Sequence, residues 1–191
     1  MERTLRCLFC GERQNVGVGL MWDFRSFLGH RRTSGWIVAI IGAWFVYGLN
    51  ALIFSDVTAI WFLVSIGPTF ALVLHMPESV MSRNRAVIGG HLISALVGVL
   101  CAKLIASPTL AAGIAIGVSM GLMAATHCDH PAGTATALIP VLGGHEVQAL
   151  GWWYVMMPVA TNVAALLAFT AAHRAISGIM STPRTNRLED T

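Results

Sequence analysis

Charged side chains are scarce in this 191-residue chain. They make up 11% of its residues, and hydrophobic residues make up 55%, whereas charged residues are about 25% of an ordinary soluble domain. So few charges cannot cover the surface of a soluble protein of this length. The same composition excludes a disordered chain, which is polar and poor in aromatic residues. The composition therefore predicts an integral membrane protein that crosses the bilayer several times.

The few charges are also segregated along the chain. Only seven lie between residues 35 and 172, and the other 14 lie in the two tails. The formal net charge of +3, without a basic stripe interleaved with aromatic residues, gives no support to nucleic-acid binding. We expect a basic cytoplasmic N-terminal tail over 1–34, in which 1–20 reads as an unstructured extension, a transmembrane domain over 35–173 and a cytoplasmic C-terminal tail over 174–191.

Several short motifs are missing, and each absence narrows the function. Four cysteines do not make a disulfide framework. Cys7 and Cys10 have the form of half a zinc site or a redox pair, but no second C-x-x-C follows. No secretory signal peptide is visible before the first apolar run, and no P-loop for ATP is present, so pumping would need gradients or a partner ATPase. Without a nucleophile–base pair or a cofactor motif, we expect no enzyme, no cofactor and no metal site.

Long apolar stretches predict the membrane segments. There are five of them, over residues 36–54, 57–74, 86–106, 109–126 and 150–172. Each has roughly the 18 to 25 residues that a helix needs to cross about 30 Å of hydrocarbon, and none alternates as a membrane β-strand does. We expect an all-α polytopic helical membrane bundle with four to six membrane segments, two of them interrupted by proline.

Nine arginines in the two tails set the expected orientation. Basic residues prefer the cytoplasmic side, so both termini are expected in the cytoplasm, in a multi-pass protein of the cell (inner) membrane. Tails on one side need an even number of crossings, whereas five stretches are visible. Either the stretch with Gly67 and Pro68 re-enters, leaving four crossings, or the segment 127–144 crosses as a sixth, partly unwound element. The second arrangement places Arg83 and Arg85 in the cytoplasm.

Glycines at four-residue spacing in the fourth stretch predict close helix packing. Gly113, Gly117 and Gly121 form two overlapping G-x-x-x-G motifs. Small residues let helix backbones approach in lipid, where no hydrophobic force drives helices together. The motif leaves open whether the contact lies within the chain or between copies, so a homo-oligomer is one expected partner beside the lipid bilayer.

The unusual chemistry lies in two proline-interrupted segments. The first contains Pro68 and Thr69, and the second contains His127, Asp129, His130, Pro131, Thr134 and Thr136. Each has a proline where a helix can start and hydroxyl groups in the next turn. A helix that begins inside the membrane directs its amides and dipole at an anion, and paired broken segments indicate a transport site near the midplane. The alternatives are a proline kink in a structural helix and, for the second segment, a polar interfacial loop.

Titratable side chains in apolar surroundings add candidates. His127, Asp129 and His130 are costly at membrane depth and are functional candidates for that reason. A metal site is disfavoured, because H-x-x-H lacks the helical spacing and the glutamate base of zinc hydrolases. His91 and Ser94 lie three residues apart on one helical face. His91 is interpreted either as a buried, satisfied histidine or as a cavity-lining one.

Two blocks resemble the HPP family of integral membrane proteins. The stretch H-P-A-G-T-A-T-A-L from His130 resembles that family's signature H-P-P-x-G-A-T-A-L, with Ala132 in place of the second proline. The stretch R-N-R-A-V-I-G-G-H-L-I-S-A-L-V-G from Arg83, which follows G-P-T-F-A from Gly67, is similar to its P-x-N-x-I-G-G-H-x-x-S-A-x-x-G region. The stretch G-W-W-Y-V-M-M-P from Gly151 is similar to its last helix. The resemblance covers roughly residues 30–175.

The resemblance implies a function as well as a fold. The family is usually described with four membrane helices, and plant chloroplast members are associated with nitrite transport. We therefore expect a transporter or channel for a small inorganic anion of the nitrite type. The candidate path residues are Pro68, Thr69, His91, Ser94, His127, Asp129, His130, Pro131, Thr134 and Thr136. The alternative is a non-transporting scaffold or subunit of a membrane complex.

Overall fold

The computed structural model describes residues 30–180, and this part of the chain forms seven α-helices and no strand. The helices are α1 (His30–Ala51), α2 (Asp56–His75), α3 (Asn84–Leu104), α4 (Pro108–Ala125), α5 (Thr134–Leu142), α6 (Gly144–Leu150) and α7 (Thr161–Met180). Two 3-10 turns, Val80–Ser82 and Pro131–Gly133, precede α3 and α5, and a π-helical segment, Val155–Ala160, leads into α7. The expected all-α bundle is confirmed.

Four helical segments of the described residues are long and apolar enough to cross a bilayer. They are Asp56–His75, Asn84–Leu104, Pro108–Ala125 and Val155–Ser177. Two shorter apolar helices, Gly35–Ala51 and Pro131–Leu142, accompany them. At 1.5 Å per residue, the second of these reaches only about 18 Å, which is less than the thickness of the hydrocarbon core.

Serine caps set where two of the long helices begin. Ser55 accepts a hydrogen bond from the first turn of α2, and Ser107 does the same for α4, ahead of Pro108. Serine is a preferred N-cap, and proline suits the first turn because its missing N–H would have no partner there. The Glu146 carboxylate of α6 accepts hydrogen bonds from Ser55 and Thr58. These two bonds hold the pKa of Glu146 below its ordinary value and tie α6 to the start of α2.

α2 runs through Gly67 and Pro68 as one continuous 20-residue helix. The expectation that this stretch re-enters the membrane is therefore wrong, because it forms one of the four helical segments of the described residues that are long and apolar enough to cross a bilayer. Pro68 lies on the exposed side of the helix. A single proline removes one backbone hydrogen bond, and membrane helices tolerate this loss.

At one end of the bundle, contacts join the start of α1, the end of α2 and the last part of α7. The Trp36 ring lies on the His75 ring, with centroids 4.0 Å apart, so α1 starts where α2 ends. Glu78, directly after α2, lines a surface pocket with His173 and Arg174 of α7. We call this end, which also carries Arg83 and Arg85 at the start of α3, the arginine end.

The chain from 130 to 151 runs alongside α3 towards the opposite end. A Cβ built on Gly133 would lie 3.0 Å from the Gly90 backbone near the start of α3, and one built on Gly151 would lie 3.5 Å from the Lys103 side chain. We call this opposite end the lysine end. Within residues 30–180 the backbone therefore makes six passes between the two ends, as in the alternative in which 127–144 is a sixth, partly unwound element.

The glycines of α4 face away from the rest of the described chain. A Cβ built on Gly113, Gly117 or Gly121 would have no neighbour within 4 Å. The buried stripe of α4 lies on the other face and consists of Ala111, Ala115, Ser119 and Met123. The G-x-x-x-G motif thus makes no helix contact within the described residues. The N-terminal extension with Cys7 and Cys10 lies outside those residues.

Candidate functional site

Five buried polar side chains meet at the centre of the bundle. They are Ser65 and Thr69 of α2, His91 of α3, His130 just before α5, and Thr136 of α5, and we call them the polar cluster. Each is at most 3% exposed. Ser65 is the tenth of the 20 residues of α2, about 14 Å from either end of the helix. The polar cluster therefore lies near the middle of a helix long enough to span the membrane.

Helical spacing places the two α2 hydroxyls together. Ser65 and Thr69 are four residues apart and so lie on the same helix face, one turn from each other. That face also buries Phe62 and Val73, and it packs towards α3 and α5. The two hydroxyls are therefore carried into the bundle by an otherwise apolar helix face.

Glycines of α3 bring the histidines together. A Cβ on Gly90 would lie 2.6 Å from the Cβ of His130, and one on Gly89 would lie 2.6 Å from Cys128 Sγ. Any larger residue would push the segment before α5 away from α3. With glycine there, the rings of His91 and His130 lie 5.1 Å apart between centroids.

Hydrogen-bond contacts join all five side chains into one network. Thr136 Oγ1 lies 2.5 Å from Ser65 Oγ and 2.7 Å from His91 Nδ1. Thr69 Oγ1 lies 3.0 Å from His91 Nε2 and 3.1 Å from His130 Nε2. The other ring nitrogen of His130, Nδ1, lies 2.8 Å from the Met81 carbonyl oxygen. Two further contacts join Thr69 Oγ1 to the Ser65 carbonyl oxygen at 3.0 Å and Ser65 Oγ to His91 Nδ1 at 3.3 Å. His91 is thus both satisfied and part of the network.

A small cavity adjoins the polar cluster. Ser65, His91 and Thr136 line it together with Tyr154, Asn162 and apolar side chains. Its volume is about 10 Å³, roughly the space of one water molecule. An inorganic anion of several heavy atoms needs more room, so the structure holds this site in a closed form.

Buried polar groups around the cavity are nearly all satisfied. The Tyr154 hydroxyl donates to the Thr136 carbonyl oxygen at 2.8 Å, and the Asn50 amide donates to Asn162 Oδ1 at 2.8 Å. On α3, one helical turn from His91, the Ser94 side chain is fully buried and its Oγ has no hydrogen-bond partner among the described residues. An unsatisfied buried hydroxyl costs about 1–3 kcal/mol. Among the predicted path residues, Ser94 is therefore the one whose buried hydroxyl is not accounted for by a hydrogen bond to the described residues.

Half of the ten predicted path residues lie outside the polar cluster on exposed or half-buried surface. His127, Asp129 and Pro131 are exposed, as is Pro68 on the outer face of α2. Thr134 is half-buried and donates to the Pro131 carbonyl oxygen at 2.7 Å. Of the ten predicted path residues, the structure thus brings Thr69, His91, His130 and Thr136 into one network. The five exposed or half-buried residues do not join that network.

The start of α5 differs from the expected anion-binding helix terminus. The Gly133 N–H donates to the His130 carbonyl oxygen at 2.8 Å, and a Cβ on Gly133 would lie 3.0 Å from the Gly90 backbone. The Gly133 amide is therefore already hydrogen-bonded, and the Gly90 backbone lies against this turn. Hydroxyl and imidazole groups, together with the Asn162 side chain, line the cavity.

Sequence reasoning missed four side chains in and around the polar cluster. Ser65 belongs to the first proline-interrupted segment, and its four-residue spacing from Thr69 was the available signal. Tyr154 is one of only two tyrosines in the chain, and a tyrosine buried in an apolar segment needs a partner for its hydroxyl. Asn50 and Asn162 are amides in otherwise apolar helices, but a pairing across 112 residues leaves no local pattern in the sequence.

The polar cluster combines groups that both donate and accept hydrogen bonds. Hydroxyls and neutral imidazoles do both, and within the part of the chain that the structure describes no charged side chain is hydrogen-bonded to them. The same residues contain no group of three His, Cys, Asp or Glu side chains placed to hold a metal ion. Such a cluster suits the binding of a small polar solute or the passage of protons.

Comparison with known proteins places the chain in a family. The HPP transmembrane region matches residues 29–183. The chain belongs to the HPP family. Together with its apolar helices, this makes it a multi-pass membrane protein.

Two transmembrane proteins of Dictyostelium discoideum are similar to this HPP chain. One is 29% identical over 136 residues, which cover 69% of this chain and 43% of that protein. The other is 32% identical over 107 residues, which cover 54% of this chain and 37% of that protein. The chain thus aligns with less than half the length of the curated relatives it matches. No solved structure matches it.

Proposed function

We propose that this HPP protein is a transporter or channel for a small inorganic anion, with nitrite as the first candidate by family resemblance. The observation that supports this most is the polar cluster. Its five side chains are buried halfway along a spanning helix, where polar groups are costly and are usually kept for function. A purely structural helix bundle has no need of two imidazoles and three hydroxyls at that depth.

The chemistry of the polar cluster favours a small anion over a cation. Hydroxyl groups and imidazole N–H groups donate hydrogen bonds to an anion without a fixed positive charge. A fixed charge in a low-dielectric site would attract the anion strongly, and conduction requires binding weak enough for release. A cation site would instead need oxygen ligands in larger number, such as carboxylates.

Entry of the anion requires movement beside α5. The cavity has room for about one water molecule, and α5 is a short helix between two turns. Displacement of α5 from α2 would part Thr136 from Ser65 and widen the cavity. We propose that this separation opens the path, with Ser94 on α3 as an additional hydroxyl that the anion meets.

We propose that the arginine end faces the cytoplasm. Arg83, Arg85 and Arg174 lie at that end, whereas Lys103 is the basic side chain of the opposite end, and basic residues are retained on the cytoplasmic side. Single cysteines beside Arg13 and Arg187, in a chain whose native cysteines are replaced by alanine, are expected to resist a membrane-impermeant thiol reagent added outside. Labelling of either position from outside would contradict this orientation.

The proposed function is tested by anion uptake into proteoliposomes. Purified protein is expected to raise the initial rate of nitrite entry above that of protein-free vesicles, and excess unlabelled small anions of similar size are expected to compete. Sulfate, which is larger and doubly charged, serves as the control anion. Nitrite entry equal to that of protein-free vesicles would contradict transport and favour the alternative of a non-transporting scaffold.

A further inference from the structure

We propose that the polar cluster is a proton relay that ends at His130, so that the anion crosses together with a proton. This inference rests on the proposed anion transport. Its basis is the geometry of the hydrogen-bond network, in which five groups follow one another from Ser65 to His130, with one longer cross-contact from Ser65 Oγ to His91 Nδ1 at 3.3 Å. Each group touches the next through a different atom or lone pair, as proton transfer along a chain requires.

The direction of the hydrogen bonds follows from one fixed end. The Met81 carbonyl oxygen only accepts, so Nδ1 of His130, 2.8 Å away, carries a proton. In a neutral imidazole the other nitrogen then has none. Nε2 of His130 therefore accepts, and its donor is the Thr69 hydroxyl at 3.1 Å.

The remaining links follow in turn. Thr69 has given its only proton to His130, so it accepts from Nε2–H of His91 at 3.0 Å. Nδ1 of His91 is then unprotonated and accepts from the Thr136 hydroxyl at 2.7 Å, which itself accepts from Ser65 at 2.5 Å. The five groups therefore donate one proton each, and these five protons account for the five hydrogen bonds from Ser65 to the Met81 carbonyl oxygen.

Proton transfer along this chain balances at every step. A proton that reaches Ser65 Oγ from the cavity lets Ser65 pass its own proton to Thr136, Thr136 to Nδ1 of His91, and His91 to Thr69 from Nε2. Thr69 then passes its proton to Nε2 of His130, which becomes an imidazolium and keeps the proton on Nδ1, because the Met81 carbonyl oxygen accepts a hydrogen bond but does not take up the proton. One proton has entered, and it is held as the single positive charge of His130 while the other four groups are neutral. Reversal of the same steps returns the proton to the cavity, where it leaves with the anion.

Rotation of the Thr69 hydroxyl interrupts the relay. Its hydroxyl also lies 3.0 Å from the Ser65 carbonyl oxygen, one helical turn away. When Thr69 donates to that carbonyl, His130 receives no hydrogen bond from it and the chain is broken. The two acceptors lie at nearly equal distances, so a hydroxyl rotation switches the relay without movement of a helix.

Few other titratable groups approach the relay. Directly before the π-helical segment, Tyr154 donates to the Thr136 carbonyl oxygen rather than to a side chain of the relay. From the segment before α5, Cys128 lies against Gly89 and its thiol donates to the Thr126 carbonyl oxygen. Among the described residues, no charged side chain is hydrogen-bonded to the relay from α2, α3 or α5. His91 and His130 are therefore the titratable groups of the relay, and His130, at its end, holds the added proton.

Proteoliposomes with a trapped pH dye test the relay. After an inward nitrite gradient is imposed, the parent is expected to acidify the lumen by about one proton per nitrite, corrected for protein-free vesicles. Thr69→Val keeps the volume but removes the hydroxyl, and it is expected to slow protein-dependent proton entry about tenfold or more. Thr69→Ser restores the hydroxyl and is expected to recover most of that rate.

A second measurement separates the relay from the proposed function. Exchange of internal nitrite for external ¹⁵N-nitrite requires no net proton movement, and Thr69 is not among the residues that line the cavity. Thr69→Val should therefore slow proton entry by a larger factor than it slows exchange. Thr170→Val, which removes a buried hydroxyl bonded only within α7, is the control and should match the parent in both. Parental exchange without proton entry, or equal proton entry in Thr69→Val, would overturn the relay alone. Absence of both uptake and exchange in the parent would overturn the proposed anion transport itself.

Discussion

α3 and α4 are neighbouring helices that both carry repeated glycines, yet only the glycines of α3 meet another element. A Cβ on Gly98 of α3 would lie 2.8 Å from the Ala137 Cα of α5, and one on Gly90 would meet His130. The regular glycines of α4 meet nothing within the described chain. The more regular motif is therefore the one that makes no contact within the bundle.

The comparison shows that glycine spacing alone does not identify the face of a helix that packs. On α3, the glycines share a face with His91 and Ser94, polar groups that a membrane helix turns inwards. On α4, the polar residue of the helix interior is Ser119, and it marks the buried stripe with Ala111 and Ala115. The position of polar side chains predicts the packed face better than the glycine motif does.

The largest effect is expected from Gly98→Ala. The added methyl group would overlap the backbone of Ala137, which cannot rotate away as a flexible side chain can. Overpacking of this kind costs about 1–3 kcal/mol and sometimes more, and we expect the upper end of that range. Thermal unfolding in detergent measures it. A melting temperature equal to that of the parent would show that α5 does not pack against α3 here.

A smaller loss of stability is expected from Ala115→Leu. Ala115 is completely buried on the inner face of α4, so three extra carbon atoms must displace the apolar side chains around it, among them Val97 and Val141 of the same core cluster. We expect a cost of about 1–3 kcal/mol, since side chains adapt more readily than backbone. The same detergent melt reports it, and an unchanged melting temperature would contradict the assignment of the buried stripe.

The smallest effect is expected from Gly117→Leu, two residues further along α4. The same branched side chain is introduced on the outer face, where a Cβ has no neighbour within 4 Å. Stability in detergent should change by no more than about 0.5 kcal/mol. The apparent mass in size-exclusion chromatography separates two outcomes for assembly. A smaller particle would show that the glycines hold copies together, whereas a destabilised monomer would contradict the outward direction of this face.

The sequence predicted the class of the fold and the extent of its helices because both follow from composition and run length. It also singled out Thr69, His91, His130 and Thr136, since polar residues in apolar runs stand out. It placed Pro68, His127 and Asp129 in the same site, although these side chains face outwards. A local sequence pattern does not show which way a side chain points when its direction depends on a contact with a residue far away in the sequence. The contact of Gly90 with His130 is an example.

Nitrite uptake by Thr136→Val, compared with Thr170→Val, tests the central claim that the polar cluster lies on the anion path. Both variants replace a fully buried threonine by a residue of nearly the same volume, but only Thr136 contacts His91 and the cavity. Loss of one hydrogen bond to the moving anion is worth about 1–3 kcal/mol, so Thr136→Val should slow uptake by about tenfold while Thr170→Val matches the parent. Parental uptake by both variants, each folded and inserted, would contradict a path through the polar cluster.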